Sequence, residues 1–180
     1  MDLFSTSNSN LLPFDGEAQY VGRILSTADI ARYMTRLEEA IPWKHDQVTM
    51  FGKTHITQRK VAWYGDEAYR YTYSQHSREA LPWSPLLVEL KALVEQHSQE
   101  TFNCCLLNYY HHGTEGMGWH SDDEKELLPN GTIASLSLGT TRKFAFKHKK
   151  TKKKVDLMLE NGSLLLMKGE TQRHRLQALP

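Results

Sequence analysis

The sequence predicts an α+β fold, with two helices packed on one face of a β-sandwich or jelly roll. Helical patterns are confined to the first hundred residues, and a run of short β-prone segments follows them. Gly, Asn-Gly or charged turns separate those segments, as short sandwich strands require.

Each element follows from its residues. Residues 1–20 are polar and rich in Ser and Asn, and read as a flexible arm ahead of one domain over 21–180. Thr27 or Asp29 caps a helix whose stripe holds Ile30, Tyr33, Met34 and Leu37, ending near Pro42. VTMFGKTHITQRKVAWYG then supplies two short β-prone runs around a Gly, with Gly65-Asp66 as a second turn. Pro85 opens a better helix, PLLVELKALVEQHSQ, with Leu87, Leu90 and Val94 on one side. The expected strands after it are FNCCLLNYY, GMGWHSD, TIASLSLG, RKFAFKH, KVDLML and GSLLLMKG. No internal repeat is present.

Composition bounds the class. At 180 residues the chain is expected to be one domain with a sizeable core. Apolar content is 39% with four Trp and eight Tyr, which is globular, and aromatic side chains serve planar ligands as well as cores. The net charge of +1 neither announces nor excludes nucleic acid. Cys104 and Cys105 are adjacent, so no disulfide framework is expected and a reducing compartment is. The segment MDLFSTSNSN has no basic and apolar leader pattern, and no apolar run approaches the ~20 residues of a membrane span. A soluble monomer of the cytoplasm or nucleus, with no membrane partner, is expected.

The chemistry concentrates at Trp119-His120-Ser121-Asp122-Asp123-Glu124. Two residues apart on an extended segment, His120 and Asp122 project from one face. Imidazole plus carboxylate is two thirds of the facial triad that holds non-haem Fe(II) and leaves positions open. A histidine far downstream should complete it, and the tail reads TQRHRLQALP. H-x-D also arises by chance, so the neighbourhood matters. Asn108 and Tyr110 share a face of the preceding strand, with Leu107 and Cys105 on the other. An amide and a phenol there suit a dicarboxylate; the plainer alternative is an edge strand with polar groups in solvent. The run KHKKTKKK, Lys147 to Lys154, joins two strands as a hairpin loop and is either a solvated turn or a grip on phosphates.

NYYHHGTEGMGWHSDDEKEL, IASLSLGTTRKFAFKHK and GSLLLMKGETQ together resemble the AlkB-like Fe(II)- and 2-oxoglutarate-dependent dioxygenases, most of all the branch repairing alkylated double-stranded DNA. The resemblance runs from about residue 45 to the end, with the motifs in family order. It implies a double-stranded β-helix (jelly-roll) core. It also implies oxidative demethylation of N-alkylated bases such as 1-methyladenine and 3-methylcytosine, with O2 and 2-oxoglutarate as co-substrates. Fe(II) would sit on His120 and Asp122, and 2-oxoglutarate on Asn108 and Tyr110. MFGK, residues 50–53, resembles a hairpin tip whose Met50 and Phe51 wedge into the base stack, because a base inside a duplex must be flipped out to be reached. A turn with one buried apolar side chain is the plainer alternative. Tyr71 and Tyr73, with Ser74, match positions lining the flipped-base pocket. Arg59 matches a contact with duplex or lesion, and Asp123 and Glu124 match acceptors for an exocyclic amine. Lys149, Lys150, Lys152, Lys153 and Lys154 would meet DNA phosphates.

The departures lie in the tail. The family pattern is approximately T-Q-x-H-W-x-H-x-L-P; Thr171, Gln172, His174, Leu179 and Pro180 fit it, but Arg175 replaces the Trp and Gln177 the third iron ligand. His174 is a surrogate ligand only if a bulge or register slip turns it inward, since an odd separation faces it away. The arginine that pairs with the far carboxylate of 2-oxoglutarate belongs to a later strand, which Arg173 and Arg175 do not match. The expectation is therefore an AlkB-like domain incomplete at its C-terminus, with little or no turnover. A catalytically impaired DNA-binding remnant is the alternative. An oxygenase of RNA or protein is a third, against which the MFGK tip counts.

Overall fold

The computed structural model describes residues 9–50, 52–73, 76–122 and 127–180, with the backbone alone at 48–50, 70–73 and 76–78. The chain divides into two compact units, residues 1–34 with 117–180, and residues 35–116.

The first unit is a two-sheet sandwich. One sheet has the order β1-β12-β9, from Glu17–Arg23, Ser163–Lys168 and Ile133–Ser137. The other has the order β11-β10-β13-β8, from Lys154–Leu159, Arg142–His148, Arg175–Leu179 and Met117–His120. Strands β8 to β13 pass back and forth between the sheets, the winding of a jelly roll. The core holds Phe144 and Phe146 from one sheet and Leu165 and Met167 from the other, with Leu12, Ala18 and Leu159. SLLLMK reads as a continuous apolar run because β12 is covered on both faces: Leu164, Leu165 and Leu166 are all buried. Helix α1, Thr27–Ala40, begins against this sheet, where Ile30 closes over Gly162 at the head of β12. Its cap is Ser26, whose Oγ accepts the Asp29 N–H at 3.1 Å while donating to the Asp29 carboxylate at 2.6 Å. The Ser26 hydroxyl holds the Asp29 carboxyl below its ordinary range, with Arg32 assisting.

The cap is thus Ser26 and not Thr27 or Asp29, and two further expectations for this unit need correction. Residues 9–20 are not a loose arm. Asn10 Oδ1 accepts the N–H groups of Leu12 and Ala18, Leu12 is buried, and β1 from Glu17 onward pairs antiparallel with β12. Leu11, Leu12 and Phe14 supply the apolar contacts that a Ser/Asn-rich average conceals. The tail does not run straight as a strand either. Thr171–His174 is a single helical turn, α3, before β13.

The second unit is built on β3, Lys53–Gly65, which pairs with β2 (Lys44–Met50), β7 (Cys104–Tyr109) and, in parallel, β6 (Leu81–Pro82). A second hairpin joins β4, Arg70–Tyr73, to β5, His76–Glu79. Helix α2, Pro85–Ser98, follows its Pro signal, with Ser84 capping the Leu87 N–H and Gln99 ending it in the left-handed region.

Gly162 has φ +79°, and a Cβ there would lie 2.6 Å from Ile30 Cδ1. Gly162→Ala is expected to lower stability by more than about 1 kcal/mol, read as a shifted urea midpoint. Met158→Ala, at an exposed site on β11, should stay within about 0.5 kcal/mol.

Candidate functional site

Strand β8 ends at His120, and antiparallel β13 sets Gln177 directly opposite it. Residues paired in this way share a face, so the imidazole and the amide come together. The Gly118 carbonyl can only accept, so His120 Nδ1 carries the proton and donates to it at 2.8 Å. This leaves Nε2 as an acceptor, 3.4 Å from the Gln177 amide nitrogen and 3.7 Å from Asp122 Oδ1. Gln177, 4% exposed, donates its Nε2 to Asp122 Oδ2 at 2.7 Å and sits 3.4 Å from His120 Nε2.

Gln172 of α3 completes the arrangement. Its Nε2 donates to Gln177 Oε1 at 3.2 Å, and its Oε1 accepts the Asp122 N–H at 2.9 Å. Asp122 thus offers an acceptor-only carboxylate at one point and a donor-only N–H at another, and the two amides close a ring between them. Both amide orientations are thereby set. The NH2 of Gln177 faces the carboxylate, and a hydrogen bond of that charged kind contributes about 1.5–3 kcal/mol.

His174 lies elsewhere in the unit. Its ring stacks parallel to that of His148 at 6.4 Å, and its Nε2 is 3.5 Å from Glu170. The structure therefore brings His174 to His148 and Asp15 rather than offering it as a surrogate ligand beside His120. α3 turns it there, where a strand-based reading had only two faces to choose from. Asp15, His148 and His174 place ligand atoms within 4.8 Å of one another. His148 Nδ1 accepts the Thr151 N–H at 2.9 Å, so its Nε2 carries the proton and donates to Asp15 at 3.1 Å. A metal on Nε2 would need the opposite tautomer and would set two N–H groups against each other. The cluster works instead as a clasp on the N-terminal segment. Arg175, at the family's Trp position and buried, joins it by donating to the carbonyls of Phe14 and Asp15 and stacking 4.9 Å over the Phe14 ring.

In the second unit Asn108 and Leu106 alternate with Cys105 and Leu107 along β7, the first pair exposed and the second half-buried. This is the alternation that the sequence predicts. Arg59 is the residue expected to contact duplex or lesion. It is 7% exposed, bonded to Asp46 at 2.6 Å, and donates to Asn108 Oδ1. Alternation along β3 puts it on one face with Val61, which pairs with Asn108 across the ladder, and Asp46 of β2 offsets the charge. Asp46 is the partner that sequence reasoning missed, since nothing in KHDQ marks it as buried. Tyr110 follows β7 directly and is half-buried. Desolvation pushes the Cys105 thiol up to about 12, which makes it unreactive at neutral pH.

A model of the 2OG-Fe(II) oxygenase superfamily matches residues 17–180. The chain belongs to that superfamily. That superfamily uses iron(II) and 2-oxoglutarate. Over 142 residues the chain is 40% identical to the DNA oxidative demethylase ALKBH2 of Mus musculus, covering 74% of this chain and 59% of that one. It is 36% identical over 156 residues to the alpha-ketoglutarate-dependent dioxygenase alkB homolog 3 of Rattus norvegicus, covering 79% and 54%. The chain spans somewhat over half the length of the curated relatives it matches. The solved structure of OsALKBH1 superposes with a TM-score of 0.63 at 15% identity, over 93% of this chain and 86% of that one. These findings agree with the AlkB-like resemblance and with a jelly-roll core.

The superfamily's metal asks for three converging lone pairs. His120 Nε2 and the Asp122 carboxylate supply two. Gln177 presents an NH2, which has none, so the donor set as arranged does not fit iron(II).

Of the residues expected to meet DNA, Phe51, Ser74, Asp123 and Glu124 lie outside the described residues, as do the side chains of Met50, Tyr71 and Tyr73. Backbone geometry bears on three of them. β2 pairs with β3 up to Met50↔Lys53 and Gly52 has φ +75°, so the hairpin turns at the MFGK segment. Tyr71 and Tyr73 sit two apart on β4 and share a face. The lysine loop is better defined. Lys149 donates to the Gln172 carbonyl at 2.8 Å and Lys152 to the Lys149 carbonyl at 2.6 Å. Lys147 and Lys154 stand 4.1 and 5.5 Å over the ring of Trp119, which sequence reading treated only as motif. Lys150, Lys153 and Lys154 are exposed. None of the helices among the described residues is long and apolar enough to cross a membrane.

Asp46→Ala would remove the carboxylate that faces the buried Arg59 guanidinium. It is expected to cost about 3–5 kcal/mol by chemical denaturation. Replacing both residues with apolar side chains of similar size should recover most of that loss.

Proposed function

We propose that this chain acts on alkylated DNA, as part of a DNA-repair oxygenase whose substrates are N-alkylated bases such as 1-methyladenine and 3-methylcytosine in a duplex. The observation that carries the reading is the 36–40% identity to relatives named as a DNA oxidative demethylase and an alkB homolog dioxygenase. The placement of His120 and Asp122 side by side supports it.

In this reading each group does what its chemistry allows. Lys150, Lys153 and Lys154 attract phosphates without regard to sequence, while Lys149 and Lys152 stiffen the loop through their carbonyl bonds. Met50 and Phe51 fill the gap left by a flipped base, which costs a few kcal/mol to extrude. Tyr71 and Tyr73 stack on that base, which is worth about 1–3 kcal/mol per base, and Asp123 and Glu124 accept from its exocyclic amine. Asn108 and Tyr110 bind the carboxylates of 2-oxoglutarate. Arg59 holds Asn108 from behind, so its part is positioning rather than duplex contact. The chain works as a monomer in the cytoplasm or nucleus, wherever its DNA is. The second reading, a DNA-binding remnant with impaired chemistry, is favoured by one observation, the amide at residue 177.

Fluorescence anisotropy with a duplex bearing 1-methyladenine tests the DNA reading. The expected result is binding that weakens steeply with salt. Lys150→Ala, Lys153→Ala and Lys154→Ala together should weaken it alike on all sequences and flatten the log K against log salt slope by about 0.9 per lost contact. An absence of duplex binding by the parent chain at low salt would overturn the proposal.

A further inference from the structure

We propose that Gln172 and Gln177 form a latch that holds the His120–Asp122 pair in a metal-free, hydrogen-bonded state, and that Gln172 is the residue that makes it inert. The inference rests on reading His120 and Asp122 as the superfamily's metal face. A glutamine at position 177 need not by itself exclude a metal, because its side chain also carries an oxygen. Turned through half a rotation, that oxygen would point where the NH2 now points and would give a His, Asp and amide-oxygen donor set.

The ring forbids the rotation. Gln177 Oε1 is engaged by Gln172 Nε2 at 3.2 Å, so turning the amide would set Nε2 of one glutamine against Nε2 of the other. Gln172 cannot turn in compensation. Its Oε1 accepts the Asp122 backbone N–H at 2.9 Å, a group with no acceptor to offer in exchange. Its carbonyl also accepts Lys149 Nζ at 2.8 Å, which ties the turn carrying it to the basic loop. Gln177 is 4% exposed, so water has little access to replace a lost partner. The carboxylate of Asp122 therefore receives amide hydrogens at 2.7 Å in place of a cation. Gln172 is a positioning residue, and its influence on the metal position passes wholly through residue 177.

The latch can be reversed without touching residue 177. In Gln172→Glu, one oxygen still accepts the Asp122 N–H and the other faces Gln177 as an acceptor. The Gln177 amide should then turn its NH2 toward the introduced carboxylate and its oxygen toward His120 and Asp122. Isothermal titration calorimetry with Mn(II), on the full 180-residue chain, reads the result. The parent chain should show no binding that His120→Ala removes. Gln177→His and Gln172→Glu should each raise Mn(II) affinity at least tenfold, and His120→Ala should abolish both gains.

The charge added at position 172 could raise affinity on its own, so the decisive comparison is Gln172→Glu in a Gln177→Leu background. Loss of the gain there supports amide rotation; persistence of the gain overturns it. Parent affinity equal to that of Gln177→His, or no change in Gln172→Glu, would also overturn the latch. Circular dichroism melts establish that each variant is folded, and Gln172→Met, which removes the donor without adding charge, should give a smaller gain in the same direction. Duplex binding in the anisotropy assay is unaffected by any of these outcomes. Failure of the latch and failure of the DNA reading are therefore separable.

Discussion

The Asp122 carboxylate accepts the Gln177 amide at 2.7 Å, and the meaning of the surrounding unit turns on that bond. Nearly everything that would make a metal centre is in place around it. The pairing of β13 with β8 delivers residue 177 to His120, the Gly118 carbonyl selects the imidazole tautomer with an unprotonated Nε2, and the step from His120 to Asp122 brings a carboxylate alongside. An amide at residue 177, oriented by Gln172, turns converging ligands into a hydrogen-bonded ring. The scaffold carries the ancestry, and the two amides together set the state of the pair.

The same economy recurs in the clasp near the N-terminus. Arg175 stands where the family pattern has a Trp, and its guanidinium takes over the work of an aromatic ring by stacking on Phe14 while tying down two backbone carbonyls. His148 and Asp15 add a second tie. Burial lowers the Arg175 pKa, an effect that Asp15 opposes. The segment from Asn10 to Glu17 is thereby fastened across the sheet that carries Gln177.

Much of this was legible in the sequence. The strands from Cys104 to Lys168 follow their glycine and Asn-Gly punctuation almost residue for residue, because short sandwich strands are bounded by local turn chemistry. Pro85 and the residues after it announced α2 for the same local reason. The departures all depend on distant partners. β1 exists because β12 offers it an edge, which no pattern in EAQYVGR reveals. Arg59 is buried because Asp46 meets it across a hairpin, and His174 turns toward His148 because α3 interrupts the strand. At the site, H-x-D and the odd Gln177 were readable, since alternation and motif position place them. The part played by Gln172 was not. Its partners at Asp122 and Gln177 are joined only by folding, and two glutamines separated by a helical turn make no recognisable spacing.

In the latched state residue 177 faces the metal position with amide hydrogens, under a lock set by Gln172. The most direct measurement is NMR of the glutamine side-chain NH2 signals while Mn(II), a paramagnetic ion, is added. The Gln177 and Gln172 signals are expected to be protected from solvent exchange and to keep their intensity at one equivalent of Mn(II). Selective bleaching of both signals at that ratio, with His120 broadened alongside them, would place the ion in the ring and contradict the latch.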